Sequence, residues 1–319
     1  MERREFLTKA TAAGLASLGG GTLLAQNQQP IERLPGESDA AYRARLAQAR
    51  ATQATQAAQA RQAGESDVAY RTRLAQTRAS RAAARAAADV QYYELRRYEI
   101  ETEQQKAGFD KFLSEAAIPA LNRLGVQPVG VFYPAEGISP LYVLLVHSSI
   151  RTFLSLTSRL GEDAEFMAQG ADFVNAPADK PAYKNLEVQF MLPFEGMRQL
   201  EKPVDAPGRV FQLRTYESPS EKAGLKKIEM FNTAEIAIFR KVGLHPVFFG
   251  QTLAGAKMPN LTYMLGFKDM DESKANWKAF GADPDWQRLR AMPEYADGAI
   301  LRKGGITNLY LKPASYSQI

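Results

Sequence analysis

The feature that most constrains this chain is that much of it is written twice. "YELRRYEI" at Tyr93 to Ile100 returns as "FQLRTYES" at Phe211 to Ser218, an offset of 118 residues, and the same offset carries "LGVQPVGVF" from Leu124 onto "VGLHPVFFG" from Val242. Beyond these, "PLYVLL" from Pro140 meets "NLTYML" from Asn260, and "RLGEDAEF" from Arg159 meets "AFGADPDW" from Ala279, both at an offset of 120. Two blocks in one register, followed by two more displaced by a small insertion, imply duplication of a whole folding unit.

The second copy gives the clearer element order. "VFQLRTY" alternates and is β-prone, so it reads as a strand. Ser220 then opens a helical run in which Leu225, Ile228, Phe231, Ile238, Phe239 and Val242 supply a buried stripe, and Gly243 ends it. "HPVFFGQTL" and "NLTYMLGF" flank "AGAKMP" as a hairpin-like pair. A second helical region follows with Trp277, Phe280, Trp286 and Leu289, and the strand "TNLYLKP" closes the unit. The order βαββαβ is the split βαβ, or ferredoxin-like, arrangement. The expected fold class is α+β, with each copy presenting a helix-free sheet face that the other can cover.

At three places the residues resemble a known family. "FQLRTY" in the first strand, "GLHPVFFG" after the first helix and "WKAFGADPDWQRL" from Trp277 are similar to the NIPSNAP family of the dimeric α/β-barrel superfamily. The resemblance spans about residues 91 to 313 as two tandem units and is stronger in the second. The first copy departs from it: Pro119 sits inside its helix, the Trp pair is absent, and "MAQGADFVNAPADKPAYKN" lengthens the stretch before its last strand. The resemblance implies two ferredoxin-like halves packed sheet to sheet as an intramolecular barrel, which allows a monomer. It also implies a binding or scaffold role towards a protein or small-molecule ligand rather than catalysis. The alternative it leaves is a small-molecule enzyme using the inter-sheet cavity, either cofactor-free and monooxygenase-like or haem-dependent.

Ahead of the duplication lie two other segments. Residues 1–26 resemble a twin-arginine export signal, with Arg3 and Arg4 followed by Phe6 and Leu7 and a weakly apolar stretch to Ala25. The expected destination is the periplasm or the outside, reached folded, with no transmembrane span in the mature protein. Residues 27–90 carry "GESDAAYRARLAQARA" from Gly36 and "GESDVAYRTRLAQTRA" from Gly64, a 28-residue repeat of helix formers that reads as a helical, Ala/Arg/Gln-rich spacer. The two ferredoxin-like units are expected at 91–205 and 206–319.

Charge supports this division. Residues 1–26 hold three Lys/Arg and two Asp/Glu, and residues 27–90 hold ten and six; subtracting these from totals of 40 and 35 leaves 27 of each for the rest. The duplicated region is formally neutral, so it offers no nucleic-acid footprint. There is no cysteine, which excludes disulfides and thiolate chemistry, and two histidines are too few for a His-rich metal site. No metal and no cofactor are expected, haem ligated by His245 being the alternative.

Strand alternation places Glu94, Arg96 and Tyr98 on one face, matched by Gln212, Arg214 and Tyr216 in the second copy. This polar set is expected to face the space between the sheets, with Leu95 and Leu213 under the helices. Glu94, Arg96, Tyr98, Arg214 and Tyr216 are then either a structural network or an anion-binding cavity with tyrosine hydroxyls as orienters. His245, whose counterpart is Gln127, joins them as a candidate acid/base or haem ligand. His147 reads as structural, and Asp283 and Asp285 as a helix start.

Overall fold

The structure, a computed structural model, describes residues 90–319 and, ahead of them, Arg45 alone. The expected export signal, Arg3, Arg4, Phe6 and Leu7 included, lies outside the described residues, as does the 28-residue repeat apart from Arg45. The chain divides into residues 1–78 and 79–319, and the architecture below belongs to the second part.

The first copy runs β1 (Tyr92–Glu99), α1 (Glu103–Lys111), a π-helical segment (Phe112–Ala117), α2 (Ile118–Arg123), β2 (Val129–Pro134), β3 (Leu141–His147), α3 (Ile150–Glu162), α4 (Ala164–Gln169), α5 (Ala171–Val174) and β4 (Asn185–Pro193). The second runs β5 (Val210–Glu217), α6 (Glu221–Met230), a π-helical segment (Phe231–Glu235), α7 (Ile236–Lys241), β6 (His245–Ala254), β7 (Asn260–Phe267), α8 (Met270–Ala282), α9 (Pro284–Arg290), α10 (Asp297–Ile300) and β8 (Ile306–Pro313). Each copy is therefore βαββαβ. The helices start where side-chain oxygens can accept the free N–H groups of a first turn: Thr102, Ser149, Ser220, Asp269 and Asp283 all do so. Pro119 falls in the first turn of α2, directly after the π-helical segment, where the hydrogen-bond ladder changes spacing and a missing N–H is tolerated.

The expected stripe of the second copy is corrected at one position. Phe231, Ile238 and Phe239 are buried, but Leu225 is 55% exposed and Lys227 occupies the buried face instead. Within α6 the buried positions are Ala223, Lys227 and Met230, spaced i, i+4 and i+7, and Leu225, two residues from both Ala223 and Lys227, falls on the opposite side of the helix.

The eight strands form one closed antiparallel barrel in the order β1-β3-β2-β8-β5-β7-β6-β4. The halves face each other across the interior, as expected, and in addition join edge to edge: β2 pairs with β8 from Phe132↔Pro313 to Pro134↔Leu311, and β4 with β6 from Phe190↔Ala254 to Pro193↔Gly250. A four-stranded sheet has two open edges, and the second copy satisfies both. The seams are short. At one end of the barrel β4 and β8 run on past them, and there the barrel is open.

Both faces of the sheet are covered. Outside, α1–α2 and α4 pack on Tyr98, Val131, Val143 and Leu145, while α6–α9 pack on Tyr216, Phe249, Tyr263 and Leu265. Inside, the copies interlock: Tyr93 meets Phe248 with ring centroids 4.9 Å apart, and Phe132 meets Phe211 at 5.0 Å. Ile319 is buried in this interior cluster. The terminal segment runs beside β2, with Gln318 N–H donating to the Val129 carbonyl at 2.9 Å.

Candidate functional site

The alternation read from β1 and β5 holds, but the faces are exchanged. Tyr93, Leu95, Phe211 and Leu213 point into the barrel, whereas Tyr98 and Tyr216 belong to the clusters beneath the helices. Glu94, Arg96, Gln212 and Arg214 share that outer face by strand parity. The sequence-derived set is thus brought together within each copy, as two separate groups under helices, and not across the barrel.

In the first copy the group is charge-compensated. Arg96 Nε donates to Glu94 Oε1 at 2.6 Å, Arg96 Nη1 reaches Tyr98 Oη at 3.5 Å, and His147 Nε2 lies 2.8 Å from Glu94 Oε2. His147 is fully buried, and a carboxylate acceptor places its ring proton on Nε2. Burial pushes the Glu94 carboxyl up, but His147 and Arg96 outweigh it and hold the group below the usual carboxylate range. This is the arrangement expected of a structural network, and His147, read as structural, is its third member. Its partner is 53 positions away and is met only because β1 pairs with β3.

In the second copy the counterparts of Glu94 and His147 are Gln212 and Phe267, and the group is built differently. Arg214 Nη2 donates to Tyr216 Oη at 3.0 Å, and the Tyr216 and Tyr263 hydroxyls are 2.9 Å apart. The Trp277 ring lies 4.6 Å from the Arg214 guanidinium, and Trp277 Nε1 donates to Gln212 Oε1 at 2.6 Å. Beside them, Lys227 Nζ and Glu235 Oε2 form an ion pair at 2.8 Å. Burial raises the Glu235 carboxyl, with Lys227 the main opposing influence. The signal that could have found this pair is Lys227 itself, a charge four residues before Phe231 on the apolar stripe. His245 takes no part: it is half-buried at the start of β6 opposite Gly266, three residues along β7 from the Tyr263 that pairs with Arg214. Asp283 caps α9, accepting from the N–H groups of Asp285 and Trp286, and also pairs with Lys241.

The opposite face of the same strands does form a cavity. At the open end of the barrel, a space of about 320 Å³ is lined by Leu95, Arg97 and Glu99 of β1, Leu213 and Thr215 of β5, Glu187 and Gln189 of β4, and Thr307 and Leu309 of β8. Arg97 Nη1 donates to Glu99 Oε1 at 2.9 Å and to Glu187 Oε1 at 3.3 Å. Burial depresses Arg97, but Glu99, Glu187 and Tyr142 carry it above its ordinary value, so it is cationic throughout the accessible pH range. Across from it, Gln189 Nε2 donates to Thr252 Oγ1 at 2.6 Å and Thr262 Oγ1 at 2.9 Å, and the Thr215 and Thr262 hydroxyls are 2.9 Å apart. Arg97 and Lys257 balance Glu99 and Glu187, and hydroxyls and an amide complete the lining. Such a site can orient a small, polar, hydroxylated or zwitterionic molecule. None of the sequence-derived candidates lines it. Its Arg97 and Glu99 stand in the same opening stretch, at the other parity.

A larger groove of about 1070 Å³ lies between α1 and residues 169–182. That stretch does not lengthen the first copy as expected, since Arg159 to Asn185 is 26 positions and the matching Ala279 to Ile306 is 27. Among the described residues no three His, Asp or Glu side chains converge as metal ligands, and no helix is long and apolar enough to cross a membrane.

Residues 211–318 match the sequence model of the NIPSNAP family and form a NIPSNAP domain, which corresponds to the second copy. No curated protein matches the chain. Among solved structures, a "putative monooxygenase" from Lactobacillus acidophilus is similar over 70% of this chain and 94% of its own, at 9% identity and a TM-score of 0.49. A NIPSNAP-like domain protein from Burkholderia xenovorans is similar over 35% of this chain and 90% of its own, at 21% identity and a TM-score of 0.31. A NIPSNAP family protein from Agrobacterium tumefaciens covers 35% and 98% respectively, at 17% identity and a TM-score of 0.31.

Proposed function

We propose that this NIPSNAP-domain protein is a binding protein that takes a small polar molecule at the open end of its barrel. The observation that carries the reading is the cavity of about 320 Å³ at which Arg97, its two carboxylate partners and the Gln189 amide network converge from both copies. That volume is at the lower end of the range of roughly 300–1,000 Å³ occupied by small-molecule sites. Apart from Lys257, which stands in the turn between β6 and β7, the polar groups of the lining sit on paired strands and hold one another, so little ordering is required on binding.

The test is a thermal-shift screen of a polar metabolite library against the wild type and Arg97→Ala. A ligand of the cavity raises the melting temperature of the wild type and not of the variant. A screen in which no compound does so, or in which every stabiliser acts equally on both, refutes the reading. We propose further that the protein is exported folded by a twin-arginine route to the periplasm or beyond, and acts as a monomer. Unchanged export in cell fractionation of Arg3→Lys with Arg4→Lys would overturn the first, and a dimer mass in light scattering the second.

A further inference from the structure

Duplication supplies an internal control for each residue, and the surroundings of Arg96 and Arg214 differ in one decisive respect. In the first copy Arg96 has a carboxylate of its own, Glu94, 2.6 Å from its Nε. In the second copy that position is Gln212, and its amide is already engaged: Oε1 accepts from Trp277 at 2.6 Å, and Nε2 donates to Asn308 Oδ1 at 2.8 Å and Tyr310 Oη at 3.1 Å. Arg214 is met only by phenol hydroxyls, Nη2 donating to Tyr216 Oη at 3.0 Å with the Tyr263 hydroxyl beside it, and its buried Nε has no partner among the described residues. Glu235, the carboxylate that bears on Arg214 electrostatically, is held by Lys227. A partly buried guanidinium without a counter-ion favours an anion brought from outside.

The surroundings say how such an anion would arrive and what it would carry. Arg214 is only half-buried, and Asn308, directly opposite it on β8, is exposed. Two residues along the same face, Ile306 is exposed as well, and the half-buried Trp277 ring covers the other side of the guanidinium. Because Nε is buried, a planar two-oxygen anion engages the guanidinium fork as the half-buried side chain turns towards the exposed Asn308 edge. An apolar body attached to it would rest against Trp277 and Ile306.

We propose that Arg214 anchors a second ligand site, on the outer face of β5 and β8, for an organic carboxylate. The ligand carboxylate does for Arg214 what Glu94 does for Arg96. The site is independent of the barrel cavity, because Arg214 and Arg97 stand on opposite faces of the sheet.

The experiment titrates the full chain with cyclohexanecarboxylate, reading tryptophan emission, with cyclohexanecarboxamide as the uncharged counterpart and sodium chloride at matched ionic strength as the control. The carboxylate gives a saturable change, and the amide and chloride do not. Arg214→Gln weakens binding by about tenfold or more, the weight of a charge-assisted hydrogen bond. Gln212→Glu does the same while keeping the guanidinium, because it installs the carboxylate of the first copy; it decides the matter if Arg214→Gln fails to fold. Arg97→Ala leaves the affinity unchanged. No saturable response in the wild type, an equal response to amide or chloride, undiminished binding in Gln212→Glu, or loss of binding in Arg97→Ala would each overturn the proposal.

Discussion

Replacing Lys227 by methionine should destabilise the protein by about 3–5 kcal/mol, the usual consequence of removing one member of a buried ion pair. The Nζ–Oε2 distance is 2.8 Å and both side chains are only 2% exposed, so Glu235 would be left without solvent or a direct counter-ion. In a domain of this size each kcal/mol lowers the melting temperature by roughly 2–4 °C, which gives a fall of about 6–20 °C. The first copy shows what the site accepts without charge, since Phe109 and Ala117 are the counterparts of Lys227 and Glu235. The double variant Lys227→Phe with Glu235→Ala should therefore lose less than the single one, by about 2 kcal/mol or more, because no buried charge is stranded. The loss should also depend on pH in a set direction. Burial raises the Glu235 carboxyl, and without Lys227 it rises further. A raised folded pKa means that the stability held below the unfolded pKa is lost as pH rises through the folded one. The deficit of Lys227→Met is thus greatest at neutral pH and above, and shrinks on acidification as Glu235 takes up its proton. Urea and thermal denaturation followed by circular dichroism at pH 8 and pH 5 measure both effects. An equal deficit at the two pH values, or a double variant as unstable as the single one, would refute the reasoning.

Glu94→Gln removes the shared partner of Arg96 and His147 and should lower stability at pH 7 by about 2–4 kcal/mol in urea melts. Because the folded Glu94 carboxyl is held low, its contribution is present above the unfolded pKa and lost as pH falls through the folded one, so the gap between variant and wild type should narrow in acid. Gly250→Ala probes the β4–β6 seam: a Cβ there would stand 2.8 Å from Met191 Cβ, and the overpacking should lower stability by about 1–3 kcal/mol in the same assay, whereas Gly281→Ala, in the open on α8, should raise it by up to about 1 kcal/mol.

The chain's sequence was enough to find the duplication, the βαββαβ order of each copy, the helix caps at Ser220 and Asp283, and the alternation along β1 and β5. These follow from local chemistry: turn and cap residues act on their immediate neighbours, and a strand's side chains alternate whatever packs against them. The sequence did not reveal which face was inside. In most sheets a polar face marks solvent, but here helices cover one face and the barrel interior the other, so Leu95 and Tyr98 are both buried and hydropathy carries no sign. Only closure of the barrel decided that Arg97 and Thr215, not Arg96 and Arg214, line the cavity. It also decided that the halves join by hydrogen-bonded edges, a property of strands that lie far apart in the chain. The same holds for His147 with Glu94, which meet only through the pairing of β1 with β3. The repeated Arg and Tyr are legible in the sequence, whereas what separates the two copies, a Glu94 in one and a Gln212 in the other, has meaning only in the tertiary structure, which decides which carboxylate each arginine can reach.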